Sequence, residues 1–169
     1  DDVIFAFYYF KKYCDPAAKL MIVGAYAGMD LYLAHLRAIT IELDLQDVFF
    51  TNHIAQYDLV AYYRLADIFL CMSEHEGFCI PLLEAMYFDV TVLAYHAAGV
   101  PGTLGRAGVL VKKKDYPAIA EMMKMMCEDD LFRMALIKKQ RERLKDFDPS
   151  RWGREFRNVL SPLLNGMLP

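Results

Sequence analysis

Several catalytic and structural signatures are missing from this chain, and each absence narrows what it can do. It has no Gly-x-Gly-x-x-Gly fingerprint and no Gly-Lys-Ser or Gly-Lys-Thr phosphate loop, so two familiar nucleotide cradles are excluded. His-Glu-x-x-His and Gly-x-Ser-x-Gly are absent too, which removes the common zinc-protease and serine-hydrolase arrangements. Its four cysteines, Cys14, Cys71, Cys79 and Cys127, make no Cys-x-x-Cys pair. Reduced buried thiols are therefore expected rather than disulfides, which points to the cytoplasm. No stretch of 18 or more uncharged apolar residues reads as a membrane span, and none reads as a signal peptide. From Leu65 to Gly105 there is no Lys or Arg, although Asp67, Glu74, Glu76, Glu84 and Asp89 all fall there.

What is present fits one domain. The 169 residues carry a net charge of −3, against any dedicated nucleic-acid surface. They suffice for a sizeable core. Positive charge gathers downstream, in Lys112-Lys113-Lys114 and in Lys138, Lys139, Arg141, Arg143 and Lys145. These read as solvated faces, with attraction to anionic lipid as the sharper alternative. Asp1-Asp2 reads as a helix start, as in a fragment of a longer chain.

Apolar runs alternate with helical stretches along the sequence. Helices are expected over Asp2–Tyr13, Asp30–Leu43 with Asp30 as cap, Asp58–Leu65, and Asp115–Glu128 with Asp115 as cap. A basic helix runs to Lys145, and a last one covers Arg151–Leu160 around Trp152. Strands are expected over Lys19–Gly24, Val48–Thr51, Asp67–Met72, Thr91–Ala94 and Gly108–Val111. Tyr95–Arg106 reads as a Gly-rich loop. The pattern implies an α/β fold, with a parallel sheet of five to six strands covered by helices on both faces. A sixth strand would precede Asp1.

Ser73 to Met86 is the segment on which function turns. An apolar strand enters it, a polar turn with one Gly follows, and a helix leads out past Pro81. That order sets a helix N-terminus, with free N–H groups and about half a positive charge, at the carboxyl edge of a sheet. Glu76 and Glu84 flank the junction, and eight helical steps would rise roughly 12 Å. Two carboxylates around an anion-binding N-terminus suit a ligand with hydroxyls at both ends and phosphate between, as in a nucleotide sugar. Competing metal readings are weaker. Glu74-His75-Glu76 alternates faces on an extended segment, and Asp146-Phe147-Asp148 follows a basic helix rather than a strand edge.

Glu76-Gly-Phe-Cys-Ile-Pro-Leu-Leu-Glu84-Ala-Met resembles the Glu-x7-Glu signature of retaining family 4 glycosyltransferases. The likeness continues through Leu20-Met-Ile-Val-Gly24, Val48-Phe-Phe-Thr51, Tyr63-Arg-Leu-Ala-Asp67, Val92-Leu-Ala94 and Gly108-Val-Leu-Val111. It implies a Rossmann-like domain, the C-terminal donor-binding half of a GT-B fold. It also implies hexosyl transfer from a nucleotide-diphosphate sugar with retention of configuration. By the resemblance Glu76 meets the sugar hydroxyls, Glu84 the ribose hydroxyls, and the amides of Gly77, Phe78, Cys79 and Ile80 the diphosphate. Backbone near His53 meets the base, and Tyr26 becomes a lining residue. No metal or other cofactor is expected. The acceptor site belongs to an N-terminal domain not included here, with an Arg and a Lys supplied from upstream. Contact with the inner face of the membrane would follow if the acceptor is lipid-borne. Where many relatives carry Glu after the Pro of the Gly-rich loop, Gly102 stands, and a non-catalytic nucleotide-sugar-binding module is the alternative.

Overall fold

The computed structural model describes residues 1–165. Helix α1 (Asp2–Tyr13) opens the chain, followed by β1 (Leu20–Ile22), α2 (Asp30–Glu42), β2 (Val48–Phe50) and α3 (Gln56–Leu65). Next come β3 (Ile68–Cys71), α4 (Ile80–Tyr87), β4 (Thr91–Tyr95), α5 (Val100–Leu104) and β5 (Val109–Val111). Two packed helices, α6 (Tyr116–Glu128) and α7 (Asp130–Leu144), then lead through a short 3-10 turn into α8 (Pro149–Asn165). The side chain of Trp152, expected at the centre of the last helix, lies outside the described residues.

Among the described residues the five strands pair in parallel, in two ladders rather than one sheet. Leu20 stands opposite Val48 and Ile22 opposite Phe50 in the first. In the second, β4 runs between β3 and β5. Among the described residues no ladder joins β1 to β3. Their sequences are as apolar as that of β4, yet Thr91 to Ala94 are buried while Ile68 to Leu70 are only half-buried. Paired on both sides, β4 is enclosed; β3 has one open edge. Helix α1 links the two ladders, with Ala6 and Phe10 in the core around β3 and β4, and Ile4 in the core under β1 and β2.

Successive side chains on β4 point to opposite faces, as a strand requires. Leu93 packs with Ala6, Phe10, Ile119 and Met126 from α1 and α6. Val92 and Ala94 pack with Leu82, Ala85, Met86 and Leu104 from α4 and α5. Met123 and Met126 are buried as core filling, while Met125 faces outward.

Two expectations need correction. Asp30 is the first helical residue of α2 rather than its cap, and Met29 holds the cap position with no side-chain bond. A turn in which the Met29 N–H donates to the Tyr26 carbonyl (2.8 Å) sets the helix start one residue early. The Gly-rich segment is also not wholly loop. Pro101 fits the first turn of α5, and Gly105 ends it at φ 58° and ψ −122°, a backbone geometry open to glycine. Asp115, by contrast, caps α6 as expected, its side chain accepting from Ala118 N at 3.2 Å.

Leu93 is fully buried at the centre of the second ladder. Leu93→Ala should therefore cost about 2–5 kcal/mol, read as a fall in the urea midpoint at unchanged slope. A cost under about 1 kcal/mol would be incompatible with β4 as the core strand.

Candidate active site

The strand-to-helix junction is built as its sequence implies, with one difference in where the helix starts. β3 ends at Cys71, and α4 begins at Ile80, with Pro81 in its first turn. Glu76 thus lies in the turn, four residues ahead of the helix, so a continuous helical rise does not describe its distance from Glu84. Cys79 occupies the position before the helix with φ 61° and ψ 65°. For a residue with a Cβ this left-handed geometry costs roughly 1–2 kcal/mol. Its effect is to turn the backbone so that the N–H groups of Gly77, Phe78, Cys79 and Ile80 find no acceptor among the described residues. Such free donors at a helix N-terminus are what an anion requires.

The carbonyls of the same turn are tied down from behind. Gly99 N–H donates to the Glu76 carbonyl at 2.9 Å, and the Thr103 hydroxyl donates to the Phe78 carbonyl. The approach is close: a Cβ on Gly99 would stand 1.7 Å from the Gly77 carbonyl oxygen. Ala98, just before it, also has positive φ, at 47°. Arg143 on α7 in turn holds α5, donating to the carbonyls of Thr103 (3.1 Å) and Gly102 (2.5 Å). Its guanidinium lies over the Phe147 ring, which meets Phe78 edge to face at 5.5 Å. Part of the basic helix read as a solvated face is therefore a brace for the motif.

The candidate residues do not all share one place. Glu76, Gly77, Phe78, Cys79 and Ile80 are neighbours in the turn, with Glu76 half-buried, Cys79 buried, and Gly77, Phe78 and Ile80 exposed. Burial, together with the nearby Cys71 and Glu76 charges, pushes the Cys79 thiol up to about 12. Glu84 is half-buried one turn into α4, its Oε2 accepting from the Tyr63 hydroxyl at 2.9 Å. Burial and then that bond hold the Tyr63 hydroxyl well above its ordinary range. Glu84 opens on a cleft of about 680 Å³, lined also by Leu59, Val60, Tyr63, Tyr87 and Leu144. Glu76 is not part of that lining.

His53 lies on an exposed bend after β2, in the other ladder, with its N–H bonded to Asn52 Oδ1 at 2.8 Å. Tyr26 spends its hydroxyl on the Ile22 carbonyl (2.8 Å) and so braces the loop after β1. The Asp146-Phe147-Asp148 run serves structure: Asp146 pairs with Arg143 (2.9 Å), and Asp148 accepts from Ser150 N (2.7 Å). Lys114 comes to the edge of the turn, which its sequence position gave no reason to expect. It bonds Glu74 and Asp2, each at 2.6 Å. Burial opposes its charge, but those two bonds outweigh burial and raise the ammonium above its usual range.

Sequence comparison decides the family. The model of glycosyl transferases group 1 matches residues 1–143. The chain belongs to that family. Among similar proteins are the serotype-specific mannosyltransferase WbdA of Escherichia coli, 30% identical over 53% of this chain and 11% of its own length. The D-inositol 3-phosphate glycosyltransferase of Corynebacterium efficiens is 28% identical over 79% of this chain and 32% of its own. The chain thus spans a third or less of these relatives. In three dimensions it resembles the C-terminal domain of the group 1 glycosyl transferase LpcC from Francisella tularensis. The TM-score is 0.72 at 25% identity, covering 86% of this chain and 76% of that one. The fold also matches Anabaena Alr3699/HepE, in a structure with UDP and glucose. There the TM-score is 0.78 at 23% identity, over 95% of this chain and 44% of that one. The α/β fold with parallel strands between helices is thus that of GT-B glycosyltransferases.

Tyr63, Gly99, Thr103 and Arg143 were not legible as site residues, because each acts through a partner distant in sequence. Gly99→Ala should force its Cβ into the Gly77 carbonyl and cost about 1–3 kcal/mol, with loss of any ligand binding at the turn. Gly102→Ala is the control, since its Cβ would meet nothing within 4 Å. Equal stability of the two variants in urea titration would refute the close-contact brace.

Proposed function

We propose that this chain is the donor-binding half of a retaining family 4 glycosyltransferase, moving a hexosyl group from a nucleotide-diphosphate sugar to an acceptor. One observation carries the reading: four unengaged backbone N–H groups lie at the start of α4, three in the turn before it and that of Ile80 at its first residue, with Glu76 on the turn ahead of them and Glu84 on the helix behind. Breaking a sugar–phosphate bond increases charge on the diphosphate, and donors fixed where that charge develops stabilise the transition state. The amides of Gly77, Phe78, Cys79 and Ile80 are those donors. Glu76 orients the sugar hydroxyls, and Glu84, held by Tyr63, accepts from the ribose. Neither carboxylate is a nucleophile, in contrast to paired glycosidase carboxylates. Backbone at His53 meets the base. The occurrence of UDP and glucose in the structure of HepE supports this ligand class.

Transfer through these groups needs no metal or cofactor. The acceptor site and the balance of the diphosphate cradle come from an N-terminal domain, and a sixth parallel strand preceding α1 fills the space between β1 and β3. The open edges of those two strands support that placement. No helix of the described residues is long and apolar enough to cross a membrane. The reading places the protein in the cytoplasm, at the inner membrane face when its acceptor is lipid-borne. A non-catalytic nucleotide-sugar-binding module is the second reading. It is favoured by Gly102, and by Lys114 being engaged with Asp2 and Glu74.

The roles separate in a binding experiment. A charge-assisted hydrogen bond contributes roughly 1.5–3 kcal/mol, so Glu84→Ala should weaken a matched nucleoside diphosphate at least about tenfold in isothermal titration. Tyr63→Phe should cause a smaller loss by freeing the Glu84 carboxylate. Glu76→Ala should spare the free nucleotide and weaken the sugar nucleotide alone. Equal losses for both ligands would contradict the division. With labelled sugar nucleotides and acceptors, the 169-residue chain alone should transfer no sugar. Turnover near that of a complete relative would show that no second domain is needed.

A further inference from the structure

The turn that carries Glu76 also gathers two thiols. Cys71, at the end of β3, and Cys79, at the entry to α4, place their sulfurs 4.0 Å apart. With a Glu76 carboxylate oxygen, all three atoms lie within 4.8 Å of one another. We propose that Cys71, Cys79 and Glu76 form a binding site for one thiophilic dication of the zinc type.

The spacing carries the argument. Two sulfurs each about 2.3 Å from a tetrahedral zinc stand about 3.8 Å apart, close to the 4.0 Å between these two. A carboxylate oxygen belongs about 2.0–2.2 Å from the same ion, which a small movement of the Glu76 side chain achieves. That side chain has no hydrogen-bond or ion-pair partner among the described residues, so no existing bond has to break. Lys114 engages Glu74 instead. Both cysteines are buried, at 8% and 6% exposure, while Glu76 is half-buried, so the carboxylate is the most exposed of the three groups. Soft thiolates select zinc-type ions over magnesium or calcium.

Binding would release the two thiol protons to solvent and leave both sulfurs as thiolates, with no change of oxidation state. The consequence for activity rests on the donor-site reading above: an ion held by Glu76 takes that carboxylate from the sugar, so zinc acts as an inhibitor and not as a cofactor.

The test uses this chain under reducing conditions with Co²⁺ and Zn²⁺ alone. Co²⁺ should give a sulfur-to-metal charge-transfer band that saturates at one equivalent and is bleached by Zn²⁺. Over an alkylation long enough to label both buried thiols of the metal-free chain, Zn²⁺ should slow labelling of Cys71 and Cys79, read by peptide mass spectrometry, while leaving Cys14 and Cys127 as reactive as before. Cys71→Ser and Cys79→Ser should each remove or strongly weaken the band. Even groups that only orient ligands matter by about 10–100-fold in metal affinity, so Glu76→Gln should weaken binding tenfold or more. Absence of the band, or shielding of Cys14 or Cys127 instead, would overturn the site. An unchanged Glu76→Gln affinity would overturn the three-ligand set. Alkylation of the unaltered chain keeps the result decisive if a Ser variant fails to fold. None of these readouts involves nucleotide, so failure of the donor-site reading would leave them intact and visible as a separate result.

Discussion

The junction between β3 and α4 depends on one contact between backbones, Gly99 against Gly77. A turn can offer its N–H groups to a ligand only when its carbonyls are satisfied elsewhere, because buried polar groups left unpaired are costly. Gly99 meets that requirement for Glu76, and Thr103 for Phe78. The 1.7 Å that a Cβ would leave shows how little tolerance the packing has. Helix α5 exists to present these two residues, and Arg143 fixes α5 by bonding the carbonyls at its end. An element of only five residues has little stability of its own. The chain of support therefore runs from α7, through α5, to the motif turn.

Most of the fold was legible in the sequence because the local signals agreed. Four-to-six-residue apolar runs between helical stretches located all five strands, and Asp115 announced the α6 cap. The division into two ladders was not legible, since a strand's sequence records that it is buried but not which neighbour buries it. The Glu76-to-Glu84 segment was recognisable from its own residues. Its supports were not, for hydrogen bonds such as Tyr63 to Glu84 and Arg143 to Gly102 span 21 and 41 positions. A basic helix with an outward-facing look gave no sign that Arg143 reaches a carbonyl near the site. Lys114 likewise looked like one of three solvated lysines, and only tertiary structure brings it against Glu74.

Strain and charge meet at the same few residues. Cys79 and Ala98 both adopt left-handed backbone, one in the motif turn and one in its brace. Such conformations persist where surrounding contacts over-determine them, and they concentrate at functional sites. Here the contacts are Gly99 to Glu76, Thr103 to Phe78, and the enclosure of Cys79 among Cys71, Leu82 and Leu104. The strained turn is thus part of the rigid body rather than a free loop.

Electrostatics limits what this turn can hold by itself. The turn presents neutral donors and the helix end about half a charge, against a ligand bearing two or more negative charges. No Lys or Arg occurs from Leu65 to Gly105, and Lys114 is drawn instead to Glu74 and Asp2. Its ion pairs lock the start of α1 to the outer edge of the turn, which makes that lysine a fastening. Positive charge for a diphosphate then has to come from outside these elements, and water has to be excluded before the amide dipoles reach full strength. In the proposed reading, a second domain closing over the carboxyl edge of the strands would meet both requirements. The same reading gives the unpaired edges of β1 and β3 a further parallel strand to pair with, and leaves the amides of the β3–α4 turn as the part of the cradle that this chain supplies.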